Sequence, residues 1–284
     1  MSTRTGSEVI AGIRRSVRNL STTVKSIESM GIPLGRLNGV FILLVVWYLL
    51  AWRTPAEVMP YPSELLGVTW QLFQEGVVME HLLATFSRTF WGFLGALGFG
   101  VAIGIAVGLH NYARKWLVPY VMVLLSLSGI SAGAIGVLIF KFSILAPVVA
   151  TIITVFPYIA INVWKGVENV DRDLMEMSTS FDVTFQRKLR RLIIPNIAPS
   201  LFAAFRFGLA TSWKIVTITE MFAASKGLGY KLLQSYTLYQ FEKAWAWGLL
   251  FLVVILLIEY GIFKPLERRM FEYRAASRYG LVGV

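Results

Sequence analysis

Four ionisable side chains stand in or at the ends of long apolar runs: Arg206, Lys214, Glu220 and Glu259. Carrying a charge into hydrocarbon is costly, so such residues face a cavity or one another. Arg206 and Lys214 are eight residues apart, about 80° around an ideal helix, so they can share a face. Two chemistries fit. The pair lines a path for a small anion, or Arg206, close to the membrane surface, snorkels or pairs with Glu259 and serves structure alone. Lys214 is the better pathway candidate. Glu220 lies near the other end of its run, where Lys226 is its expected partner. Ser128 and Ser131 sit among Gly129, Gly133 and Gly136, a small polar set that suits a pore wall and helix packing alike.

Catalytic chemistry has little support. Cysteine is absent, so no disulfide, thiolate metal site or cysteine nucleophile exists. His81 and His110 fall in predicted loops on opposite sides of a membrane, where solvated residues are expected. The intramembrane carboxylates are isolated, and no Gly-x-x-x-x-Gly-Lys-[Ser/Thr] phosphate loop occurs. The chain is therefore not read as an enzyme, and neither a cofactor nor a metal of its own is expected.

A second set of residues points to docking. Between Trp164 and Pro199 the apolar chain gives way to a polar, basic stretch. Leu174 and Met177 share one helix face. Phe181-Asp182-Val183-Thr184 interrupts, and Phe185, Leu189, Leu192 and Ile193 resume helical spacing with Arg187, Lys188, Arg190 and Arg191 around them. The pattern reads as two short helices with a bend, and Pro195 is expected to end or kink the second. Such a hairpin grips a soluble partner or lies on an anionic membrane surface.

The elements that carry these residues are membrane spans. Of 284 residues, 56% are apolar, and the mean hydropathy is +0.64. Six spans are expected, near Leu37–Trp52, Trp91–Leu109, Val118–Phe140, Pro147–Trp164, Leu201–Phe222 and Trp245–Phe263. They divide the chain into a basic segment 1–36, a membrane domain 37–263 and a tail 264–284. The membrane domain includes an outer helix near 62–80 and the loop 165–199. With both termini inside, 19 of the 27 basic residues face the cytoplasm, so the basic excess sets the orientation. It also explains the net charge of +11 without nucleic acid. No cleavable signal peptide is read in the first 36 residues. Ala96, Gly100, Gly104 and Gly108 lie on one face and predict close helix packing inside the subunit, a dimer contact being the other use. Gly227 and Gly229 predict a tight turn or a re-entrant bend after Glu220, and Trp245 and Trp247 read as interfacial anchors.

The hairpin resembles the cytoplasmic signature of permeases of binding-protein-dependent ABC importers, a Glu-Ala-Ala triplet followed by a glycine and then Leu-Pro. Glu176-Met177-Ser178 stands at the triplet, Asp182 at the glycine and Ile194-Pro195 at the Leu-Pro. Met59-Pro60-Tyr61-Pro62-Ser63, Glu220-Met221 with Ala224–Tyr230, and Leu266-Glu267-Arg268-Arg269 resemble the branch serving nitrate, sulfonates, taurine, bicarbonate and some vitamin precursors. The likeness runs from about Met59 to Arg274. The third span departs from it, with Ser126–Ala134 where that branch carries prolines.

The resemblance implies an all-α, polytopic permease of the type I ABC importer fold, in the plasma membrane of a prokaryote. It implies a second permease copy, an extracytoplasmic binding protein that could touch Glu220, membrane lipid, and separate ATPase subunits that hold ATP and Mg. It assigns the hairpin as a coupling helix, with Leu174, Glu176, Met177, Phe181, Asp182, Phe185, Arg187 and Pro195 as its contact and bend residues. A non-conducting partner subunit of a heteromeric transporter is the alternative.

Overall fold

The computed structural model describes residues 34–55, 58–141 and 143–267. Residues 1–33 of the basic segment 1–36 and residues 268–284 of the tail 264–284 lie outside them. Every regular element among the described residues is a helix: α1 (Leu34–Arg53), α2 (Pro62–Gln74), α3 (Val77–Leu109), α4 (Asn111–Leu125), α5 (Gly129–Phe140), α6 (Leu145–Glu168), α7 (Arg172–Ser180), α8 (Phe185–Lys188), α9 (Ile194–Ala223), α10 (Leu228–Thr237) and α11 (Phe241–Leu257). Two π-helical turns, Leu189–Ile193 and Ile258–Phe263, extend α8 into α9 and prolong α11.

The chain divides into two compact units, 1–64 and 65–284. In the first, the Trp47 indole N–H donates to the Pro60 carbonyl at 3.2 Å, and the Tyr48 and Tyr61 rings lie 5.6 Å apart. The second holds the core, where Phe93 and Ala96 of α3, Val155, Ile159, Val163 and Val167 of α6, and Ile193, Ile197 and Ala204 around the start of α9 pack together.

Small residues allow that packing. A Cβ on Gly100 would meet Ile159 and the Phe156 carbonyl at 2.6–2.9 Å, and one on Gly104 would meet Ala160 and Val163 at 2.6–2.9 Å. The stripe from Ala96 to Gly108 thus seats α6 on α3 within one chain, as its spacing predicts. Arg114 of α4 pairs with Glu168 at the end of α6 and lies over the Trp164 ring, 4.7 Å from its centroid.

Among the described residues, four helical runs are long and apolar enough to cross a membrane: Val77–Leu109, Leu145–Glu168, Phe185–Ala223 and Phe241–Glu267. α4 and α5 pass the same test together, and Phe41–Arg53 is a shorter apolar helix. Three expectations need correction. The third span is not one straight rod: α4 and α5 bend by 97° between Leu125 and Gly129. Ser128 is extended there (φ −66°, ψ 139°) at the N-cap position of α5, without a side-chain cap hydrogen bond, so the helix breaks without proline. The helix expected over 62–80 ends at Gln74, where Gly76 (φ 72°) turns the chain into α3. Finally, of the two outcomes expected of Pro195, it does not end its helix; the helix changes its winding just before it. The wide turn before it closes with Ile194 N–H donating to the Leu189 carbonyl, and Pro195 then occupies the first turn of α9, where its missing N–H costs nothing.

Candidate functional site

The hairpin after α6 is built from its caps inward. The Asp171 side chain accepts from the Asp173 N–H at 2.9 Å and starts α7. The helix turns Met175 and Ser178 inward and leaves Leu174, Met177 and Phe181 outward on one stripe, with Phe181 75% exposed. Its end is a Schellman motif: Val183 N–H donates to the Ser178 carbonyl and Asp182 N–H to the Thr179 carbonyl, both at 3.1 Å. Asp182 is left-handed at φ 48°, the place a glycine ordinarily takes. The expected bend therefore exists, and aspartate tolerates that conformation better than most residues.

Thr184 opens α8, and its carbonyl accepts from the N–H of Arg187 and of Lys188, both at 2.9 Å. Lys188 Nζ donates to Thr179 Oγ1 at 2.9 Å and ties the two arms together. Glu176, Thr179, Ser180 and Lys188 line a shallow depression of about 430 Å³ beside the apolar stripe. Glu176, Phe185, Arg187 and Pro195 are exposed. The hairpin thus presents three large apolar side chains with charges around them, the composition of a docking surface.

α9 carries the ionisable set, and the structure separates its members. Glu220 has no solvent exposure. Its Oε1 accepts from Arg88 Nη1 at 2.6 Å, and its Oε2 accepts from Thr85 Oγ1 at 2.8 Å and Gly229 N–H at 3.2 Å. Arg88 also donates to the Lys226 carbonyl at 2.5 Å. The Gly227 N–H donates to His81 Nδ1 at 3.0 Å, and the Leu228 N–H donates to Thr85 Oγ1 at 2.8 Å. Gly227 stands at φ 129°, and a Cβ there would overlap the Glu220 carboxylate. The expected tight turn is present because the chain must close over a buried anion.

This hub corrects two expectations. Lys226 is not the partner of Glu220; its Nζ pairs with Glu80 at 2.5 Å. His81 is no loop residue but a buried member of α3. Sequence reasoning missed His81, Thr85 and Arg88 as a group, although their spacing of four and three residues marks one polar face on an apolar helix.

Arg206 pairs with Glu259, as expected, and also with Glu267 at 2.9 Å. Lys214 is exposed and has no ion-pair partner among the described residues. It lies nine residues before Ala223, about 14 Å along the helix and so near mid-depth of a span. Ser128 and Ser131 are exposed at the break between α4 and α5. Gly129 and Gly133 pack on α9, where a Cβ would press on Ile215 and Thr219 respectively. No group of three metal-ligating side chains occurs among the described residues.

The helical fold, the bent pair and the hairpin together define a membrane permease. Residues 96–272 match the family described as binding-protein-dependent transport system inner membrane component, and the chain belongs to that family. It is 23% identical over 235 residues to a putative aliphatic sulfonates transport permease protein, SsuC, of Bacillus subtilis (strain 168), covering 82% of this chain and 85% of that protein. It is 22% identical to the taurine transport system permease protein TauC of Escherichia coli (strain K12), covering 81% and 86%. Against the nitrate import permease protein NrtB of Synechococcus elongatus (strain ATCC 33912 / PCC 7942 / FACHB-805) the identity is 22%, covering 69% and 74%. In fold it is similar to a chain of the MetNI methionine ABC transporter in an inward-facing conformation. The TM-score is 0.57 and the identity 21%, over 70% of this chain and 96% of that one. The chain is thus a permease subunit of the ABC importer class, as the residues of its hairpin imply.

Proposed function

We propose that this permease passes a small oxyanion, of the sulfonate, taurine, nitrate or bicarbonate kind, along a path that includes Lys214, Ser128 and Ser131. Two copies, or this chain and a second permease, enclose the path. A binding protein delivers the solute outside. The hairpin 172–195 docks inside on a separate ATPase that holds ATP and Mg, and both termini face the cytoplasm.

The observation that carries this reading is Lys214. An ammonium at mid-depth, uncovered by its own chain, requires water or a partner opposite rather than lipid. Arg206 and Glu220, by contrast, are engaged by carboxylates and by a guanidinium, and we place them outside the path. The relatives named for taurine, sulfonates and nitrate handle compact oxyanions, to which a single lysine offers charge and three donors.

The test is uptake of labelled taurine, an alkanesulfonate and nitrate, each loaded on its binding protein outside, into proteoliposomes holding the ATPase and this chain as the sole permease. Lys214→Met lowers anion uptake and Lys214→Arg retains part of it. Equal uptake by Lys214→Met removes this residue from the path, and no uptake of any of the three by the wild type favours a non-conducting partner subunit.

A further inference from the structure

The side of α9 that carries Arg206 forms a groove unrelated to the hub. Arg206 Nε and Nη2 donate to Glu259, which sits in the π turn Ile258–Phe263, and Nη1 donates to Glu267 at 2.9 Å. Beside this triad, Pro199, Phe202, Ala203, Phe207 and Ala210 line a cavity of about 530 Å³. These five span twelve positions on one side of α9, from 199 to 210, so the apolar wall runs along the helix for about three turns.

Depth, charge and free donors define an occupant. Arg206 lies 17 residues from Ala223 and Glu259 lies 18 from Phe241, each about 26 Å from the far end of its helix. With about 30 Å of hydrocarbon to cross, both reach the headgroup boundary on the face that carries the hairpin. The groove's own lining, one guanidinium and two carboxylates, sums to −1, and the nearby Lys264 is held over the Tyr260 ring at 3.9 Å, so a purely anionic headgroup finds no excess positive charge in the groove. A headgroup joining an ammonium to a phosphate finds a partner for each. The guanidinium has five N–H donors, and the carboxylates take three, which leaves two for phosphate oxygens.

We propose that this groove binds a phospholipid with a phosphoethanolamine headgroup. The phosphate sits on the remaining N–H groups of Arg206, the primary ammonium bridges Glu259 and Glu267, and one acyl chain lies along Phe202, Ala203, Phe207 and Ala210. A trimethylated ammonium has no N–H to donate, so a phosphocholine headgroup is held more weakly. The site rests on the span reading of α9 and α11, and Lys214 follows Ala210 by one turn on the same face, so the lipid lies on the hairpin side of the enclosed path.

The test is native mass spectrometry of the full chain titrated with dioleoyl phosphatidylethanolamine, phosphatidylcholine and phosphatidylglycerol at equal mole fraction. The wild type retains phosphatidylethanolamine about tenfold over the other two, the discrimination expected of a charge-assisted hydrogen bond. Glu267→Lys, at a half-exposed side chain near the end of the described helix, turns the triad's charge positive and moves the preference to phosphatidylglycerol. Ala210→Trp fills the apolar wall and lowers retention of all three. Equal retention of the three lipids by the wild type, or a preference unmoved by Glu267→Lys, overturns the proposal.

Discussion

Arg88 and Glu220, 132 residues apart in sequence, meet at 2.6 Å with side chains 8% and 0% exposed. The pair joins α3 to α9 and anchors the loop that follows α9. A buried charge pair adds little net stability, yet breaking it leaves an uncompensated charge. Arg88→Met is therefore expected to destabilise the protein by about 3–5 kcal/mol, while the double change Arg88→Met with Glu220→Met recovers much of the loss. Thermal unfolding of the four proteins in detergent gives the cycle, and additive losses would mean the two residues act separately.

The loop over Glu220 is expected to reject side chains. Gly227→Ala places a methyl on the carboxylate and Gly229→Ala places one on the Thr217 carbonyl, so each lowers stability by more than about 2 kcal/mol. Gly98, on the exposed face of α3 with open space around it, is the control: Gly98→Ala is neutral or stabilises by about 0.5–1 kcal/mol. The same unfolding assay reads all three.

Asp182 at φ 48° carries a penalty that glycine avoids. Asp182→Gly is expected to stabilise the hairpin by up to about 1 kcal/mol, and Asp182→Val to destabilise it by about 1–2 kcal/mol. Limited proteolysis between Ser180 and Phe185 measures this: cleavage slows in the first variant and quickens in the second. The reverse order would contradict the left-handed cap.

Much of this architecture is legible in the residues. Span hydropathy, the Gly100–Gly104–Gly108 seam and the two-armed hairpin follow from composition and period, because each depends on neighbours along one helix. The Arg206–Glu259 pair is legible too, since two charges at matching depth have few other partners. The hub is not, because Arg88 near a helix end reads as a surface arginine until α9 and the glycine loop close over it. The 97° break between α4 and α5 is equally hidden: serine and glycine permit a bend, but packing on α9 decides it.

The central claim is that the hairpin transmits work from a separate ATPase, and the direct measurement is ATP hydrolysis by the reconstituted complex. Phe181 is 75% exposed, so Phe181→Asp leaves unfolding temperature unchanged while removing an apolar anchor. This variant is expected to co-purify poorly with the ATPase and to lose transport-linked hydrolysis. Wild-type hydrolysis and uptake in Phe181→Asp, with the ATPase still bound, would contradict it.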